Sequence, residues 1–198
     1  TATPEIYTLS LHDALPISGG FGLPSSSGVI AFPDPQNDEI IVRDRDGDTL
    51  GRVQRSEQIA WPSPNGELLA GLERLPIDTP SSSVNRSVRL WVADVSRGET
   101  REILNLQAAE VHWLPDNRHL LIPARNLEFE QAGIWLVDIE TGEYEVILEE
   151  LFLQSIRLSP DGQRIAMLRT FQDDPARNGV WVMDIESREM NPIVEQGS

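Results

Sequence analysis

The chain contains no cysteine, which excludes disulfides, thiolate metal ligands and thiol nucleophiles. It also contains no lysine: its 16 basic residues are all arginine, set against 32 acidic ones. A formal net charge of −16 repels phosphate backbones and argues against nucleic acid as a partner, while favouring solubility and cationic partners. No apolar run approaches the ~20 residues of a membrane-spanning helix, so no membrane insertion is expected. Histidine occurs only three times, and the Gly-x-Ser-x-Gly nucleophile elbow of serine hydrolases is absent.

What is present is repetition. Ser63-Pro-Asn-Gly66, Leu114-Pro-Asp-Asn117 and Ser159-Pro-Asp-Gly162 place turn prolines 51 and 45 residues apart. Val88-Arg-Leu-Trp-Val-Ala-Asp94, Gly133-Ile-Trp-Leu-Val-Asp138 and Gly179-Val-Trp-Val-Met-Asp184 follow, with Trp91, Trp135 and Trp181 spaced by 44 and 46. A remnant, Glu39-Ile-Ile-Val-Arg-Asp44, precedes them without a tryptophan. Each unit reads as four short antiparallel strands, a to d. Asn65-Gly66, Asp161-Gly162 and Asn117 supply the positive φ angles of a two-residue a–b hairpin turn. Strand c is continuously apolar, as at Ile134 to Val137, where a half-solvated strand would alternate. A sheet buried on both faces by neighbouring sheets explains that run.

These units resemble the WD40-like repeats of the TolB-type β-propeller family, whose blades carry a Ser-Pro-Asp-Gly turn and a later aromatic-Val-x-Asp strand. The likeness covers 58–196 well and 28–57 partly. It implies an all-β fold, a partial β-propeller of about three and three-quarter four-stranded antiparallel blades. Complete blades are expected at 58–106, 107–151 and 152–198, after a partial blade at 28–57 that has lost strand a. The resemblance implies a non-catalytic scaffold binding a protein or peptide, in a periplasmic or extracellular setting. Its alternative is the gating propeller of a prolyl-oligopeptidase-like serine hydrolase whose catalytic domain lies outside this chain.

Residues 1–18 stand apart. Glu5 to Ser18 resembles, residue for residue, the translation of a widely used short-read sequencing adapter, and Thr1 to Thr3 continue the match. The segment is therefore set aside as non-native, with a truncated reading frame as the expectation. Residues 19–27, rich in Gly, Ser and Pro, read as a flexible junction.

The candidates for chemistry are few, and no catalytic residue and no cofactor are expected. Asp44, Asp46 and Asp48 alternate as in calcium loops, but Thr49 and Arg55 stand where an EF-hand needs Gly and Glu; a hairpin turn on Asp46-Gly47 is the competing reading. His112 and His119, with Glu110 nearby, read as structural histidines. The b–c loops, 76–87, 126–131 and 170–178, bear Arg74, Arg86, Arg125, Arg169, Asp173 and Arg177, which together form a candidate partner-binding face. Finally, the two end blades should each present an apolar outer face, through which the chain should self-associate.

Overall fold

The computed structural model describes residues 23–24, 28–34, 36–55, 59–76, 87–128, 130–150, 153–170, 175 and 178–195. They form sixteen strands, grouped by fours along the chain. The first sheet holds β1 (Leu23–Pro24), β2 (Ile30–Asp34), β3 (Glu39–Arg43) and β4 (Thr49–Gln54). The second holds β5 (Ala60–Pro62), β6 (Leu68–Arg74), β7 (Ser87–Asp94) and β8 (Thr100–Ala108). The third holds β9 (His112–Trp113), β10 (His119–Arg125), β11 (Ala132–Asp138) and β12 (Tyr144–Glu149). The fourth holds β13 (Leu153–Leu158), β14 (Arg164–Arg169), β15 (Gly179–Asp184) and β16 (Met190–Glu195). Among the described residues no helix is long and apolar enough to cross a membrane.

Two details of the strand pairing depart from the sequence expectation. Inside the stretch read as a junction, β1 pairs with β2 (Leu23↔Ala31, Pro24↔Ile30), so the first sheet does have a strand a. Its two residues are too few for a periodicity signal. The boundary between the second and third sheets is also not a break: β8 runs on, and its end pairs with β10 (Ala124↔Ala108, Arg125↔Gln107). β9 then takes the other end of β10 (Leu120↔Trp113), so one strand closes one sheet and opens the next.

The a–b turn is longer than a two-residue hairpin. The Ser63 N–H donates to the Leu68 carbonyl (2.9 Å), leaving four residues between them, and the Gly66 N–H donates to Ser63 O (3.0 Å). Only the last turn position takes a positive φ (Gly66 76°, Asn117 58°, Gly162 71°); Asn65 and Asp161 do not. Proline sets φ at the second position, and the third residue's side chain serves the backbone instead. Asn65 Oδ1 and Asp161 Oδ1 accept the N–H two residues on, at 3.1 and 3.0 Å. The Ser63 and Ser159 hydroxyls accept the N–H of Leu68 (3.0 Å) and Arg164 (2.9 Å). Leu114 has no hydroxyl, and there Asp116 Oδ1 takes both the Arg118 and His119 N–H groups at 3.0 Å.

Gly162 is required for space as well as for its φ. A Cβ there would lie 2.2 Å from Cδ of Pro115, in the preceding turn. The neighbouring pair of turns is tied by a hydrogen bond, the Asn65 N–H donating to Asn117 Oδ1 (2.9 Å). Successive turns thus pack on one another at one end of the strands a.

Three apolar clusters lie between successive sheets and explain the unbroken strand c. Between the first and second sit Ala31, Ile40, Val42 and Val53 against Leu69, Trp91 and Ala93. Between the second and third sit Ala70, Leu90, Val92 and Leu106 against Leu120, Ile122, Trp135 and Val137. Between the third and fourth sit Leu121, Ile134 and Ile147 against Ile156, Ile165, Met167 and Met183. Along strand c, the tryptophan and the residue two further on face the preceding sheet. The residues flanking the tryptophan face the following one.

The end faces differ from each other, contrary to expectation. On the first sheet's outward face the Arg43 guanidinium lies 5.4 Å over the Phe32 ring, Arg52 pairs with Glu39 beside it, and Ile41 is buried. The long arginine stems cover apolar surface while their charges reach water. On the fourth sheet's outward face Leu168, Val180 and Ile193 are 40%, 36% and 63% exposed, and Arg157, opposite Ala166, and Arg164 share that face with them.

Candidate functional site

One position of strand a, three residues before the turn proline, carries Trp61, His112 and Arg157 in the second, third and fourth sheets. They are equivalent by pairing, opposite Ala70, Leu121 and Ala166. With the prolines Pro62, Pro64, Pro115 and Pro160, and with Val111, Trp113, Leu158 and Ser159, they line a cleft of about 350 Å³. The strands a approach one another here, and the Trp113 indole N–H donates to the Trp61 carbonyl at 2.8 Å.

Three charged or titratable groups meet at the cleft. Glu110 Oε1 accepts the Ile156 N–H (3.2 Å) and lies 3.6 Å from His112 Nε2, while Glu110 Oε2 lies 3.6 Å from Arg157. Burial alone would raise the Glu110 carboxyl, but His112, the Ile156 N–H and Arg157 outweigh it and hold the group below the usual range. Glu110 therefore stays anionic, and Arg157, 73% exposed, presents its cation at the rim. The sequence expectation placed His112 and Glu110 near each other without a third partner; Arg157, 47 residues beyond Glu110, is that partner. The fixed offset from each turn proline is the signal that finds this position in all three repeats. His119 serves elsewhere, with Nδ1 2.6 Å from Asp116 Oδ2 beside the a–b turn of the third sheet.

Asp44 corresponds to the aspartate that ends every strand c. Its Oδ1 accepts the N–H groups of Asp46 and Asp48, each at 2.9 Å. Asp94 does the same for Ser96 and Arg97, Asp138 for Glu140, and Asp184 for Glu186 and Ser187. The terminal aspartate of Trp-x-x-Asp is thus a staple for the c–d turn. Asp46 and Asp48 are exposed, and among the described residues no group of three or more His, Asp or Glu side chains is placed to hold a metal ion.

These staples have a pH consequence. Hydrogen bonds from Ser96, from Arg118, from Ser159 and from the Ser187 N–H hold Asp94, Asp138, Asp161 and Asp184, respectively, below the ordinary aspartate value of 3.8. Because the folded values are depressed, their stabilisation is complete above that value and is lost as pH falls through the folded ones. The melting temperature should hold from pH 7 to about 5 and fall steeply below pH 4. Asp138→Asn should lower it at pH 7 and flatten the acid limb, as read by circular dichroism melts.

Of the b–c loop residues, Arg74 is exposed at the end of β6, and Arg125 is half-buried at the end of β10. Arg169 is not on that face: it is 7% exposed, donates from Nε (3.0 Å) and Nη2 (2.5 Å) to Glu150 Oε2, and lies 5.1 Å over the Trp181 ring. Arg86, Asp173 and Arg177 lie outside the described residues. The loop after β10 is held by Asn126, whose Oδ1 accepts the N–H groups of Glu130 (2.8 Å) and Gln131 (3.0 Å).

No family model matches the chain, and no curated protein does. Solved structures do. TolB from Acinetobacter baumannii is 15% identical with a TM-score of 0.59, over 89% of this chain and 43% of that one. The β-propeller domain of the Trilobed protease from Pyrococcus furiosus, described as having an open velcro topology, is 18% identical with a TM-score of 0.57, over 86% and 54%. Dipeptidyl peptidase 4 from Porphyromonas gingivalis is 12% identical with a TM-score of 0.62, over 88% and 32%. The chain spans about half or less of each of these proteins. At such identities the likeness shows the fold, and with the sheet order and the three inter-sheet cores it establishes a partial β-propeller of TolB-like build.

Proposed function

We propose that the chain is a non-catalytic interaction module that receives an extended peptide or protein segment in the cleft formed by Trp61, His112 and Arg157. The observation that carries this reading is the lining itself. Two tryptophans and four prolines offer rigid apolar walls, while Arg157, braced by the anionic Glu110, offers a cation to a carbonyl or a carboxyl terminus. Rigid aromatic and proline surfaces lose little conformational entropy when they bind. Selection from a displayed random-peptide library tests it. Binders should be enriched, and Arg157→Glu should weaken them by about tenfold, roughly one charge-assisted hydrogen bond. No enrichment, or binders indifferent to Arg157→Glu, would remove the cleft from consideration.

The second reading is the propeller of a serine peptidase, supported by the likeness to the Pyrococcus and Porphyromonas peptidases. The reading frame beyond Ser198 separates the two. A hydrolase domain with Gly-x-Ser-x-Gly supports the peptidase, and a stop codon supports the free-standing module.

A further inference from the structure

His112 Nε2 is buried and makes no hydrogen bond, although Glu110 Oε1 stands 3.6 Å away. The carboxylate is engaged elsewhere: Oε1 accepts the Ile156 N–H at 3.2 Å, and Oε2 lies 3.6 Å from Arg157. A bare ring nitrogen beside a carboxylate leaves room for a proton, because the charged imidazole donates from both nitrogens. Arg157 is the most open of the three, its side chain 73% exposed against 19% for His112 and 26% for Glu110.

Resting on the reading of this cleft as a peptide site, we propose that the occupant presents its carboxyl terminus to Arg157, and that binding draws a proton onto His112. Charge balance drives the coupling. In the empty cleft one guanidinium faces one carboxylate. A ligand carboxylate at Arg157 leaves two anions sharing that cation, in a half-buried place where like charges repel strongly. A proton on His112 gives Glu110 a cation of its own and frees Arg157 for the ligand. Glu110 does not take the proton instead. Against the raising effect of burial, His112, the Ile156 N–H and Arg157 hold its carboxyl below the usual range.

Among the described residues around His112, no other group plays this part. β5 packs against β9 and has no charged residue, and β13 has only Arg157. β10 places Leu121 opposite His112 and carries His119 and Arg125 at its ends. His119 is committed to Asp116, and Asp161 of the fourth sheet's a–b turn accepts the Ser159 hydroxyl. Histidine is the side chain that ordinarily gains a proton between about pH 8 and 5. Binding that takes up a proton tightens as pH falls through that range.

The probe is the peptide most enriched from a random library displayed with free carboxyl ends, synthesised as its acid and as its amide. With the parent chain, the acid should bind about tenfold more tightly at ~pH 5.5 than at ~pH 8. Calorimetry in buffers of different ionisation enthalpy should show proton uptake on binding. The amide should bind more weakly, with little change between the two pH values and no uptake. His112→Gln should flatten the response of the acid, whereas His119→Gln should keep it. A peptide lost in Arg157→Glu that binds equally as acid and amide, or without proton uptake, overturns the proposal and leaves the peptide site standing. Loss of the response in His119→Gln overturns it too. A library without binders, or binders indifferent to Arg157→Glu, overturns both readings.

Discussion

Trp91→Ala should lower the unfolding free energy by about 3–5 kcal/mol, a large part of a domain's net stability. The ring is fully buried, with the Arg55 guanidinium 4.9 Å from it. It also covers Gly71, its cross-strand partner: a Cβ on that residue would lie 2.1 Å from Cζ2 of Trp91. The surrounding sheets hold the site open from both sides, so the cavity cannot collapse. Trp135→Ala should cost a similar amount, since that ring is buried and stacks 4.2 Å from Tyr144. Trp181 is half-buried in the last sheet, and its replacement should cost clearly less. Urea titrations of the three variants check the order.

The same rings predict a contrast with phenylalanine. The indole N–H groups of Trp91 and Trp135 are buried with no hydrogen-bond partner. Phenylalanine would remove an unsatisfied donor along with some volume, and the two changes oppose each other, leaving a net loss below about 1.5 kcal/mol. Trp113→Phe loses the bond to the Trp61 carbonyl and should cost more than its lost volume alone.

The strand c tryptophans were legible in the sequence because each sheet is buried on both faces and repeats at a near-constant period. Other features were not, each for a physical reason. Ile103, Ile147 and Ile193 each occupy a bulge, defined by a register slip between strands c and d, which leaves no local trace. The strand Leu23–Pro24 is set by pairing with β2 in a segment whose Gly, Ser and Pro content argues for a loop. The two-residue form of the a–b turn was inferred from Asn-Gly and Asp-Gly, yet the preceding proline and serine impose a longer one. Asp44, a weak calcium candidate set against a hairpin turn, is a turn staple by its equivalence to Asp94, Asp138 and Asp184. The cleft shares this difficulty: Trp61, His112 and Arg157 have unlike side chains, and only their common place on strand a unites them.

Arg169 shows most clearly how position overrides residue type. As a charged residue just before a loop, it reads as surface, yet its side chain is 9% exposed and its partner, Glu150, is 12% exposed. Arg169→Ala should therefore cost about 3–5 kcal/mol, because it leaves the Glu150 carboxylate buried without its cation. It also removes the guanidinium from the Trp181 face. Glu150→Ala should be comparably harmful, for the converse reason. The pair itself need not be favourable: each charge has given up most of its hydration to reach this site, and the attraction between them mainly offsets that loss. The double variant Arg169→Met with Glu150→Leu should thus recover most of the stability lost by either alanine variant, with a coupling of several kcal/mol in a double-mutant cycle. Because Glu150 follows β12 and Arg169 ends β14, the pair bridges the third and fourth sheets. Its loss should therefore open the fourth sheet first, with faster amide exchange in β14 and β15 than in β10 and β11. Uniform exchange across both sheets would show that the apolar cluster of Leu121, Ile134, Ile165 and Met183 suffices to hold them together.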